Sequence, residues 1–168
     1  MRTWDKRSFE EANLLNPAFL SIICYLCVKG YCEKGSKNAP YILPFLVTPL
    51  VLHKKTRENM PRTVSTTFFT WISRPQGAQA KIEYAQRTRS IVPYVKEALV
   101  FSLSNKLLKS TENCSFQIDS LNLKIPSKED DLFTNEVLEC FKKAYFCGRW
   151  FAHTGKIETS MALLGVKP

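Results

Sequence analysis

Residues Pro17 to Val28 carry large apolar side chains on nearly every helical face: Phe19, Leu20, Ile22, Ile23, Leu26 and Val28. A surface helix needs a polar side, so a helix apolar all round belongs in the middle of a fold with other elements on every flank. Asn16 and Pro17 open it, since Asn caps free amides and Pro tolerates the first turn. Gly30 is the expected stop, placing the helix end near Lys29. The rest of the chain must therefore wrap this element.

A second apolar stretch, Tyr41 to Leu52, carries Pro44 and Pro49 and is read as a buried but irregular element. The polar, basic segment His53 to Thr63 is expected to be exposed. Ser65 caps a helix through Arg74 that Pro75-Gln-Gly77 ends, and a further helix covers Ala78 to Ser90. Pro93 either kinks that helix or opens the next, where Val95, Leu99, Leu103 and Leu107 recur at helical spacing. Phe116 and Ile118, then Leu121, Leu123 and Ile125, alternate about Asp119-Ser120 and predict a β hairpin over 115–126. Ser127 to Asp130 has the form of a capping box ahead of a helix from Phe133 to His153. Gly155 ends that helix, and a short last one runs from Ile157 to Leu164.

The expected class is mainly α with a small β hairpin (α+β), in a single domain of 168 residues. Residues 65–126 follow the element order of a winged helix-turn-helix, packed on helices over 12–52 and 127–168. Any small α+β domain can show the same order.

The net charge of +9 is unevenly spread. Nine Lys/Arg face two acids between His53 and Lys96, whereas seven acids face two Lys between Thr111 and Glu139. Lys54, Lys55, Arg57, Arg62, Arg87 and Arg89 are the candidates for contact with nucleic acid or a partner, because clustered cations displace counterions from a polyanion. Arg57 and Arg62 could equally pair with an acidic partner, or with the 111–139 region of this chain.

Catalytic chemistry finds little to work with. Cys24-x-x-Cys27-x4-Cys32 lacks the second half of a four-ligand zinc site, and Cys24 and Cys27 fall within the apolar helix. They are read as structural thiols; no metal or cofactor is expected. His53 and His153 lack a recognisable nucleophile and carboxylate, and His153 suits a helix C-terminus. No secretory signal or bilayer-length apolar run is evident, so the expectation is a reducing cytoplasm and no membrane role. In Gly148-Arg149-Trp150-Phe151, the aromatics either close the core or dock a partner. Arg149 is the residue expected to act specifically.

Four segments occur in order: Asn16-Pro-Ala-Phe19; Pro49-Leu-Val-Leu-His53-x-x-Thr-Arg57-x-x-x-Pro61; Val92-Pro-Tyr94-x-x-Glu-Ala-Leu99; and Gly148-Arg-Trp-Phe with Ala-Leu-Leu-Gly-Val-Lys-Pro168. Together they resemble the middle component of three-component ABC ATPase (ABC-3C) systems, bacterial conflict systems that include Lamassu-type antiphage defence. The resemblance implies a non-enzymatic adaptor that works with an SMC- or Rad50-like ABC ATPase and an effector subunit, often a nuclease. DNA would be engaged through the complex, and no small-molecule substrate is implied. Arg57, Pro61, Arg149 and Trp150 lie on the matching motifs and inherit the expectation of partner contact. The cysteines at 24, 27 and 32 are not part of that pattern. The rival reading is a stand-alone winged-helix DNA-binding regulator; a thiol enzyme or zinc protein comes third.

Overall fold

Asn16 begins the central helix as the sequence predicts: its side-chain oxygen accepts from the Ala18 amide at 2.8 Å. The computed structural model describes residues 6–121, 123–125 and 133–167, with Glu10 by its backbone only. A short helix α1 (Phe9–Leu14), capped by Ser8, precedes the central helix α2 (Pro17–Gly35). Leu20, Ile23, Cys24, Cys27 and Val28 are fully buried. The stretch Glu11–Gly35 is long and apolar enough to cross a membrane by length and composition, more than the run Pro17–Val28 alone suggests. Here the helices packed around it cover its inward side chains from Leu20 to Val28, while Leu14 at its start stays 69% exposed.

α2 runs past Gly30, which was expected to stop it. The reason lies in its partner α8 (Asn135–Thr154), which crosses α2 closely. A Cβ on Gly30 would stand 2.3 Å from the Tyr145 carbonyl oxygen, and one on Gly148 2.0 Å from that of Cys27. Both glycines serve backbone approach, and the helix ends instead at Ser36, whose φ of 50° breaks the repeat.

α3 (Leu43–Leu52) keeps Pro49 inside the helix and is buried from Leu43 to Val51. The basic segment after it is not a loop throughout, since Lys54–Glu58 form α4. α5 (Phe68–Ile72) starts at Thr67, not Ser65, with the Thr67 hydroxyl accepting from the Thr70 amide. Pro75 opens α6 (Pro75–Lys81) where it was expected to end a helix.

α7 (Tyr84–Ser104) shows a further difference. The chain breaks at Glu83, with φ 56°, and Pro93 is carried inside the helix. Arg87 makes the break possible by donating to the carbonyls of Ile82 and Ala80 at 2.7 and 2.9 Å. Tyr84, buried, donates to the Leu46 carbonyl at 2.7 Å and ties α7 to α3.

The hairpin is displaced from 115–126. It comprises β2 (Leu108–Thr111) and β3 (Ser115–Ile118), turning where Cys114 adopts φ 49°. The strand β1 (Ala39–Pro40) completes an antiparallel sheet in the order β1-β3-β2, with Ala39 opposite Phe116. Positive φ at Lys106 and Cys114 makes both turns, so Leu107 leaves the helical stripe while Leu121, Leu123 and Ile125 lie outside the strands. The expected helix-and-hairpin order over 65–126 is present in part, but β1 binds the hairpin to a segment outside it. The fold is mainly helical with one small antiparallel sheet. Helices α8 and α9 (Ile157–Leu164) match expectation. The capping box at 127–130 lies outside the described residues.

Candidate partner-docking surface

Trp150 is fully buried. Its ring packs among Phe68, Trp71 and Phe146 at centroid distances of 5.1 to 5.7 Å, and its indole N–H donates to the Thr66 carbonyl at 2.6 Å. Of the two readings of this aromatic pair, the structure realises core closure: Trp150 and Phe151 join α8 to α5 and offer no face to a partner. Arg149 points elsewhere. It is half-buried, with its guanidinium 5.8 Å from the ring centre of Tyr145, a cation–π arrangement. Tyr145 in turn donates to Glu33, and that bond, with burial, pushes its phenol pKa up.

Arg57, expected on an exposed basic segment, is 2% exposed. Its guanidinium donates to the Val51 carbonyl at 2.8 Å and to Glu136 at 2.6 Å, with Glu139 3.9 Å away. It therefore pins α4 to the start of α8, and its partner is this chain's own acidic region. The sequence left this alternative open. Arg57→Met keeps most of the stem but strips the hydrogen bond from the buried Val51 carbonyl. The urea midpoint should fall by the equivalent of about 2 kcal/mol with an unchanged slope.

The remaining basic residues separate. Lys54, Lys55 and Arg62 are exposed on α4 and the chain after it, and Pro61 beside them is half-covered. Arg87 is engaged with carbonyls; Arg89 is exposed on α7. His53 bonds Thr56 through Nδ1 at 2.7 Å. Burial, with Arg87, Lys55 and Arg57 around it, lowers its pKa and favours the neutral ring.

The cysteines lie where the apolar helix placed them. Burial pushes the Cys24 and Cys147 thiols up to about 12 and also raises the Cys27 thiol well above its usual range. They stay protonated at neutral pH, whereas the thiolate is the reactive form. Cys27 Sγ donates to the Cys24 carbonyl. Among the described residues no group of three or more His, Cys, Asp or Glu converges to hold a metal ion.

Sequence reasoning missed the outer face of α7. Val100, Phe101 and Leu103 are 63%, 37% and 38% exposed. Val100 and Phe101 edge an open groove of about 750 Å³ that Pro93 of the same helix and Pro17 of α2 also line. Val95 and Leu99 hold the inward face as predicted, Leu103 does not, and Leu107 is buried from beyond the end of the helix. The signal was present: Val100 and Phe101 lie off the inward stripe, so their apolar character was unexplained by the core. A helix with apolar residues on both faces is accounted for when something else covers the second.

Residues 4–168 match the family model of the ABC-three component (ABC-3C) system Middle Component 3. No curated protein and no solved structure matches the chain. A middle component is one part of a multi-subunit system, and partner components are implied by that description. With the match running over nearly its whole length, the chain belongs to the ABC-3C Middle Component 3 family.

Proposed function

We propose that this chain is a non-catalytic adaptor that joins an SMC- or Rad50-like ABC ATPase to an effector, such as a nuclease, in a cytoplasmic antiphage complex of the Lamassu type. The observation that carries this reading is the apolar outer face of α7 on a family member defined by its place in an assembly. Val100, Phe101 and Leu103 would be taken out of water by a partner subunit, and apolar side chains at the centre of an interface carry much of its energy. Arg149, half-exposed on Tyr145, offers a second contact on α8. Lys54, Lys55 and Arg62 are the exposed cations through which the complex would touch DNA or a further subunit.

Co-expression with the products of adjacent genes tests the reading. The wild-type chain should co-purify with an ATPase and a second subunit. Val100→Glu combined with Leu103→Glu should abolish that co-purification. Its own unfolding free energy should stay within about 0.5 kcal/mol, because both side chains are on the surface. A wild-type chain that purifies alone and binds one duplex sequence would instead be a stand-alone regulator.

A further inference from the structure

The other flank of α7 holds a second cleft, of about 670 Å³, at its junction with α3 and the residues after α9. Phe45, Val92 and Met161 give it an apolar lining, and Arg89, Lys96 and Lys167 are its cations. No acid lines it. None of the three cations has an ion pair with a described acid, whereas Arg7 and Arg57 elsewhere in the fold do. Tyr41 stands at the cleft with its ring 5.2 Å from Phe45 and 5.5 Å from Phe116, so one wall is set by the sheet.

Three like charges around one cleft repel each other, and an anionic occupant relieves that repulsion. The apolar lining asks for more than charge. A phosphate backbone would satisfy the cations and leave Phe45, Val92 and Met161 unused. A volume in this range accommodates a few side chains and not merely a flat contact. Val92 and Lys96 also line the groove beside Val100, so the cleft is continuous with the proposed docking face.

We propose that this cleft receives an acidic segment of a partner subunit, with a large apolar side chain seated on Phe45, Val92 and Met161 and flanking carboxylates meeting Arg89, Lys96 and Lys167. The proposal rests on the adaptor reading and names the chemistry of one partner.

Zero-length carbodiimide coupling of the co-purified complex provides the test, because it joins a lysine only to a carboxylate already in contact. Lys96 or Lys167 should couple to an Asp or Glu of a partner within a few residues of a Leu, Ile, Phe or Trp. Lys96→Arg with Lys167→Arg should keep the assembly and remove those couplings. Arg89→Glu, Lys96→Glu and Lys167→Glu together should weaken retention about a hundredfold, with an unchanged melting temperature. If the charge-reversed chain assembles like wild type, or no partner carboxylate couples, the cleft proposal fails while the adaptor reading stands. Retention that duplex DNA abolishes by competition also overturns it, since nucleic acid is then the occupant. A wild-type chain that purifies alone removes both proposals.

Discussion

Gly148→Ala is expected to destabilise the fold by about 3 kcal/mol, although helix propensity alone predicts a gain of roughly 1 kcal/mol for that change inside a helix. The opposite sign comes from the α2–α8 crossing. The added carbon would meet the Cys27 carbonyl oxygen at 2.0 Å and the Tyr31 amide nitrogen at 2.9 Å, both backbone atoms of a buried helix. Backbone cannot move aside as the end of a flexible side chain can, so the two helices must separate. That separation loosens Leu20, Cys27, Ala144 and Cys147 along both. Gly30→Ala makes the reciprocal clash, at 2.3 Å from the Tyr145 carbonyl oxygen. Once the helices have parted for one methyl group, the second meets more room, so the double variant should lose less than the sum of the singles. Urea unfolding of the three variants measures this directly. A Gly148→Ala chain as stable as wild type would mean that the helices do not cross so closely.

Trp150→Ala should cost more, about 4 kcal/mol, the middle of the range for large aromatic truncations in cores. The substitution leaves a cavity among Phe68, Trp71, Phe146 and Phe151 and removes the donor to the Thr66 carbonyl. Trp150→Phe keeps most of the volume, leaves Thr66 without that bond, and should lose about half as much. These values distinguish core closure from partner docking. A docking tryptophan would reduce assembly at unchanged stability; a core tryptophan lowers the melting temperature of the isolated chain first. Thermal unfolding of the chain alone, before any binding assay, separates the two. Arg149→Ala is the control from the same motif, since Arg149 is half-exposed and closes no core.

Much of the helical architecture was legible because it is local. Asn16-Pro17, the apolar run of α2, the stripe of α8 and Gly155 before α9 are signals within one or two turns, and the structure follows them. Where the reading missed, the deciding atom was far along the chain. Gly30 looked like a stop because isolated glycine destabilises a helix, but its neighbour is Tyr145, a residue of another helix. Arg57 looked exposed because its neighbours are polar, but Glu136 and the Val51 carbonyl neutralise and bond it. The hairpin was placed too late because alternation cannot show which residue will take positive φ, and Cys114 does.

The candidate site divides in the same way. The sequence alone determined that cations crowd the stretch from His53 to Lys96, with Lys54, Lys55, Arg57, Arg62, Arg87 and Arg89 alike as contact candidates, and the fold then left Lys54, Lys55, Arg62 and Arg89 exposed. The sequence also determined that a helix as apolar as α2 must be central. The tertiary structure alone decided that Arg57 and Trp150 belong to the interior and that Val100, Phe101 and Leu103 do not. Helical period tells which residues share a face, but whether a face meets the core or the solvent depends on what distant segments place against it.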